Sequence, residues 1–226
     1  MAREQFDREL HALRDRLIAL ASEVQENVVA ATRALKEPNE ATSKRIIAGD
    51  VEVNQEQISI EQDCLTLIAR QQPTAGDLRF IAAVMAISNE LERMNDYAKG
   101  IAKINLLIGP QSQLDPVHAL LPMAEKAAEM LGRSLQAFLN RDVESAHTIY
   151  AEDDVIDEMY NDIYRRLINL IVADVQAMDQ ATHLLWAAHN LERTADRVSN
   201  ICERVVFMAT GELVESLEEE AETPVG

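Results

Sequence analysis

From Met1 to Glu37 the chain holds no glycine and no proline, and its large apolar residues recur at Phe6, Leu10, Leu13, Leu17, Leu20 and Val24. Steps of four and three residues keep all of them on one face of an α-helix, whereas a strand would throw alternate ones to opposite faces. The opening segment therefore predicts one amphipathic helix from about Arg3 to Lys36, stopped by Pro38-Asn39. Breakers stay scarce throughout, with 7 Gly and 6 Pro in 226 residues, too few for the turns of a β-sandwich or barrel. The reading is all-α, with six long antiparallel helices.

Asn39 is placed to cap a second helix over Glu40–Gln71, with Ile47, Val51, Ile58, Leu65 and Ile68 expected inward. Gln72-Pro73-Thr74-Ala75-Gly76-Asp77 reads as a turn in which Thr74 and Asp77 resemble a capping box. A third helix runs to about Ile108, with a seam of Val84, Ile87, Leu91, Met94, Ala98 and Ile101. Asp115-Pro116 looks like an N-cap followed by an N1 proline, and Pro122 either kinks the fourth helix or marks its start. That helix ends near Asn140; a fifth is expected over Val143–Val175 and a sixth over Gln180–Thr210, closed by Gly211. Helices of this size are roughly 45 Å long, and three joined by short turns make an antiparallel bundle. The expected organisation is a bundle over residues 1–109, a linker over 110–116, a second bundle over 117–211 and a disordered acidic tail over 212–226.

The formal charge is −18, and six Glu with no base lie between Glu212 and Glu222. Nucleic acid and anionic membrane are poor partners for such a chain, while cations and basic protein surfaces suit it. The longest apolar run, Phe80–Ile87, is far short of a membrane span, so direct membrane insertion is not expected. Cys64 and Cys202 do not make a disulfide framework and read as core. With no signal-peptide pattern at the start, a cytoplasmic location is expected. Trp186 is expected to pack at a helix interface.

The one sharp motif is internal. Leu91-Glu92-Arg93-Met94-Asn95-Asp96 recurs as Leu191-Glu192-Arg193-Thr194-Ala195-Asp196, and Ile101 matches Ile201. A weaker echo relates Asp50, Val53 and Asn54 to Asp153, Ile156 and Asp157. Together these indicate a duplicated three-helix unit. Glu92/Asp96 and Glu192/Asp196 are like charges one helical turn apart, a mild conflict that isolated helices avoid. A hard cation would reconcile it, since carboxylate oxygens from two helices bind Mg, Mn, Ca or Fe ions. Asp50/Asn54 and Asp153/Asp157, with the same spacing on the neighbouring helices, are the candidates to complete the two sites.

The plainer reading is a solvated acidic face, with Glu92 and Asp96 paired to Arg93 or Lys99, and Glu192 and Asp196 to Arg193 or Arg197. Arg93 and Arg193 have a further option, tying the two bundles together. His189 lies one turn before Glu192 but has Asn89 as its counterpart. Glu144-Ser-Ala-His147 matches half of the Glu-x-x-His signature of carboxylate-bridged di-iron bundles, which need two copies. Such an enzyme, or a metal-free helical scaffold, is the alternative to a metal-binding regulator.

The ordered set of motifs resembles the PhoU family of bacterial phosphate-transport and phosphate-signalling regulators. Asp50-x-x-Val53-Asn54, Gln71-Gln72-Pro73-x-x-x-Asp77-Leu78-Arg79, both Leu-Glu-Arg-x-x-Asp copies, Asn200-Ile201-x-Glu203 and Phe207-x-x-x-Gly211 carry the resemblance over roughly residues 3–213. It implies a non-enzymatic cytoplasmic adaptor, a negative regulator of phosphate uptake and starvation signalling. The implied partners are the ATPase subunit of a phosphate ABC transporter and a PhoR-type sensor histidine kinase. It also implies divalent or iron cations at Glu92/Asp96 and Glu192/Asp196, and a homodimer. Asp50/Asn54 and Asp153/Asp157 differ between the repeats, which puts equal affinity of the two sites in doubt.

Overall fold

The computed structural model describes residues 2–109, 114, 116–213 and 217. The elements are α1 (Ala2–Lys36), α2 (Glu40–Gln71), α3 (Ala75–Ile108), α4 (Val117–Asn140), α5 (Val143–Tyr150), α6 (Asp153–Ala173), a 3-10 turn (Val175–Ala177) and α7 (Met178–Thr210). Most of the acidic tail and Asp115, the expected N-cap, lie outside the described residues. Among those residues there is no strand, and no helix is long and apolar enough to cross a membrane.

The helix ends follow local chemistry. Asn39 Oδ1 accepts from the Thr42 N–H at 3.0 Å and caps α2. Gly211 closes α7 at φ +87°, donating its N–H to Phe207 O at 2.8 Å. Thr74 occupies the N-cap position of α3, but its hydroxyl bonds the Asp77 carboxylate at 3.0 Å instead of a backbone N–H. Pro122 lies inside α4, which starts at Val117 immediately after Pro116.

The fifth helix is not continuous. α5 ends at Tyr150, Ala151 and Glu152 turn, and α6 begins at Asp153. The Glu152 N–H reaches Ile149 O at 3.1 Å, a tightened 3-10 closure. Its carboxylate is held on α4 by Lys126 Nζ at 2.7 Å and Arg133 Nη1 at 2.7 Å. Burial works against ionisation of Glu152, but these two cations outweigh it and hold the carboxyl below its usual range. α6 also stops short of the expected Val175: Asp174 Oδ1 accepts from the Gln176 N–H at 2.9 Å and opens the 3-10 turn. α5 and α6 together occupy the place of one helix, so each unit keeps a three-helix plan.

The seams of α1 and α3 pack as their spacing predicts: Phe6, Leu13, Leu17, Leu20 and Val24 are buried and Leu10 is partly buried against them, and Val84, Ile87, Leu91, Met94, Ala98 and Ile101 are buried. α2 is rotated from its expected register. Of the five residues expected inward, Val51, Ile58 and Leu65 are exposed and Ile47 and Ile68 are partly buried against the core, whereas Ser43, Ile46, Asp50, Val53, Ile60, Cys64 and Leu67 face inward. The true inward stripe keeps the three-four spacing but contains a serine and an aspartate, so counting apolar residues selects the wrong face. Trp186 is 60% exposed and does not pack at a helix interface. Cys64 and Cys202 are buried, as expected.

Each unit covers its own apolar faces, α1 with α2 and α3, and α4 with α5, α6 and α7. Yet α3 packs on α7 more extensively than any other pair, and α1 packs on α4, so one apolar core runs through both repeats. α3 and α7 cross antiparallel: Glu90 meets Asn200 at 3.2 Å, Tyr97 meets Arg193 at 3.1 Å, and Gly100 lies against Asn190. Since position 100 of either repeat faces position 90 of the other, the units are related by an approximate two-fold. Arg193 does tie the repeats together, through its bond to the Tyr97 hydroxyl and its place over that ring, 5.7 Å from the centroid.

Candidate carboxylate centres

In the first repeat, the inward rotation of α2 buries Asp50 to 3% exposure against α3. A carboxylate at that depth needs partners. Asn95 Nδ2 donates to Oδ1 at 3.1 Å, and Lys99 Nζ donates to Oδ2 at 2.5 Å. The buried Asn95 in turn accepts from Asn27 Nδ2 of α1 at 3.0 Å, and Asn27 Oδ1 accepts from Arg45 at 3.4 Å. Lys99 Nζ also lies 3.2 Å from Asp96 Oδ1. Bonding to Asp50 is the main reason the Lys99 ammonium is held above its ordinary pKa. Glu92 sits beside this group; burial, then the Asp96 and Asp50 charges, push its carboxyl up. Asn54 contributes an amide whose Oδ1 is buried with no hydrogen-bond partner.

The second repeat has the same backbone plan and a different charge balance. Asp153 and Asp157, in the first turns of α6, face Glu192 and Asp196 of α7. Burial and the Asp196 and Asp157 charges push Asp153 up to about 6, and its Oδ1 is buried with no hydrogen-bond partner. Burial and then Asp196 raise both Asp157 and Glu192. His189 Nδ1 lies 3.1 Å from Glu192 Oε2 without hydrogen-bond geometry. Arg197 approaches Asp196 only to 4.0 Å and is engaged by Glu90 across the repeat interface at 3.3 Å. Lys99, Asn95 and Asn54 are replaced here by Ser199, Ala195 and Asp157.

The fold thus gathers Asp50, Glu92 and Asp96 at one place, with Asn54 one turn beyond Asp50 on α2, and Asp153, Asp157, Glu192 and Asp196 at the other. Among the described residues no three His, Cys, Asp or Glu side chains converge as a ready-made metal cage. The donor set of the second repeat still suits a hard cation: all oxygen, partly buried, mutually repelling, with two carboxylate oxygens, Asp153 Oδ1 and Glu192 Oε2, buried without a hydrogen-bond partner. The first set is already neutralised in part from within. Lys99 pairs with Asp96, as the plainer reading expected, and also reaches Asp50, which that reading did not foresee; nor did it single out Asn27 and Asn95. Their signal is polarity on an apolar stripe, Asn27 standing between Val24 and Ala31 at helical spacing.

The PhoU domain family model matches residues 3–104 and 120–205, one stretch in each repeat. The phosphate-specific transport system accessory protein PhoU homolog of Streptococcus pneumoniae is 37% identical over 214 residues, covering 94% of this chain and 99% of that protein. The phosphate-specific transport system accessory protein PhoU of Escherichia coli is 31% identical, covering 92% and 86%. The crystal structure of the phosphate transport system regulatory protein PhoU from S. pneumoniae superposes with a TM-score of 0.86 at 34% identity, covering 93% of this chain and 99% of that one. PhoU from Pseudomonas aeruginosa gives 0.87 at 27% identity, covering 92% and 100%. These relatives are accessory and regulatory proteins by name, which removes the di-iron enzyme as a rival. By sequence over both repeats and by fold, this chain belongs to the PhoU family.

Proposed function

We propose that this protein is a metal-binding regulatory adaptor of phosphate uptake and phosphate-starvation signalling. It acts in the cytoplasm as a negative regulator, between the ATPase subunit of a phosphate ABC transporter and a PhoR-type sensor histidine kinase, as a homodimer. The observation that carries the reading is the family match across both repeats, joined to relatives named as accessory proteins of a phosphate-specific transport system. The metal-binding part rests on the second-repeat carboxylates, which raise one another's pKa at the α6–α7 junction.

Asp153, Asp157, Glu192 and Asp196 would hold the cation, after side-chain rearrangement. Bound there, a hard Mg, Mn or Fe ion would supply the positive charge that four clustered carboxylates lack. With that repulsion relieved, α6 and α7 keep one arrangement, and the acidic surface docks on basic patches of its partners. Such docking weakens with salt. The test is a pull-down of the transporter ATPase and the sensor kinase by the intact chain, with Mn2+ and with chelator. Capture that is stronger with Mn2+ and fades at high salt supports the reading; equal recovery from beads lacking the protein rejects the adaptor role.

A further inference from the structure

We propose that Lys99 is the built-in counter-ion of the first repeat, so that this half of the molecule stays metal-free and only the second repeat takes a divalent cation. The proposal rests on the metal-binding reading above and changes its stoichiometry from two centres to one.

The argument comes from comparing equivalent positions. In the first repeat an ammonium lies 2.5 Å from Asp50 Oδ2 and 3.2 Å from Asp96 Oδ1, bridging the two helices as a bound cation would. The second buried Asp50 oxygen is taken by Asn95, itself held by Asn27. One lone pair on each Asp50 oxygen is therefore engaged, and a metal approaching Oδ2 would meet the Lys99 ammonium already in contact with it. A divalent ion would also be repelled by an ammonium that the chain tethers in place and that needs no free ion to occupy the site. Asn54 further replaces a carboxylate with a neutral amide. At the second centre Ser199 stands where Lys99 would, and Ala195 stands where Asn95 would, so a neutral hydroxyl beside Asp153 takes the place of the ammonium and no amide replaces that of Asn95. Four carboxylates remain, and Asp153 Oδ1 is buried without a hydrogen-bond partner. Duplication preserved the backbone plan, and one lysine divided the chemistry.

The test measures Mn2+ bound to the full chain at equilibrium, by dialysis and elemental analysis, with Mn2+-dependent melting as a second readout. Glu192→Gln with Asp196→Asn is expected to abolish saturable binding and the melting shift. Glu92→Gln with Asp96→Asn, in the presence of Lys99, is expected to leave both unchanged. Lys99→Ser is expected to add a second class of bound Mn2+, lost again when Glu92 and Asp96 are also changed. Because Lys99→Ser strips Asp50 of its partner and could unfold the chain, the two carboxylate pairs in the Lys99 background decide the matter alone. Loss of about half the bound Mn2+ from the Glu92/Asp96 pair would overturn the proposal and leave the metal reading intact. Absence of saturable Mn2+ in every form would instead overturn the metal reading, and the proposal with it.

Discussion

Gly100 on α3 lies so close to Asn190 on α7 that a Cβ on the glycine would stand 2.8 Å from Asn190 Nδ2. The glycine leaves room for the Asn190 amide between the two central helices, where a larger residue would have to displace it. Gly100→Leu is expected to pry α3 from α7 and destabilise the fold by about 1–3 kcal/mol in urea unfolding. Asn190→Ala in the same chain removes the crowding atom and should recover part of the loss. No change in the Gly100→Leu midpoint would show that α3 and α7 can separate freely there.

The second carboxylate centre gives the protein a pH signature. Asp153 titrates at about 6 in the fold against its usual 3.8. Between those values the folded state holds a proton that the unfolded chain has released, so the contribution is present at low pH and lost as pH rises through about 6. Asp153→Asn should therefore stabilise the metal-free protein above pH ~6.5, with little effect near pH 4. The side chain is only half-buried, so the gain is of order 1 kcal/mol, or about 2–4 °C in melting temperature. Calorimetry at both pH values checks it, and equal shifts at the two would contradict the assignment.

The turn between α5 and α6 depends on Glu152, which gathers Lys126 and Arg133 of α4. Glu152→Ala should cost about 1–2 kcal/mol, because a partly buried, doubly bonded carboxylate is lost and Lys126 and Arg133 keep only their longer contacts to Glu129. Glu152→Gln should cost less. Urea denaturation of both variants, compared with Glu144→Ala on α5 as a control, provides the measurement.

The two thiols should be silent in the folded protein. Burial pushes Cys64 and Cys202 up to about 12, far from the thiolate form. A disulfide reagent at pH ~8 should label neither cysteine until denaturant opens the core, and then both. Fast labelling of either thiol under native conditions would mean that its helix opens locally.

Much of this architecture was legible in the residues. The seams of α1 and α3, the Asn39 cap, the Gly211 stop and the doubled Leu-Glu-Arg-x-x-Asp are local or repeated patterns, and each depends on spacing along a single helix. Tertiary structure decided what spacing cannot express. The rotation of α2 placed Asp50 inward and Val51, Ile58 and Leu65 outward, because the inward face is chosen by what α3 offers, including Asn95 and Lys99. The break at Ala151–Glu152 uses residues compatible with a helix, and the Glu152 carboxylate there pairs with Lys126 and Arg133 of α4, which no local spacing announces. Trp186 stays exposed along an open groove between α6 and α7 that Tyr160, Tyr164 and Ile168 also line. Above all, equivalent acidic pairs acquired different surroundings, one beside an ammonium and one without it. Helical periodicity is a property of neighbours in sequence, whereas the charge a carboxylate meets depends on neighbours in space.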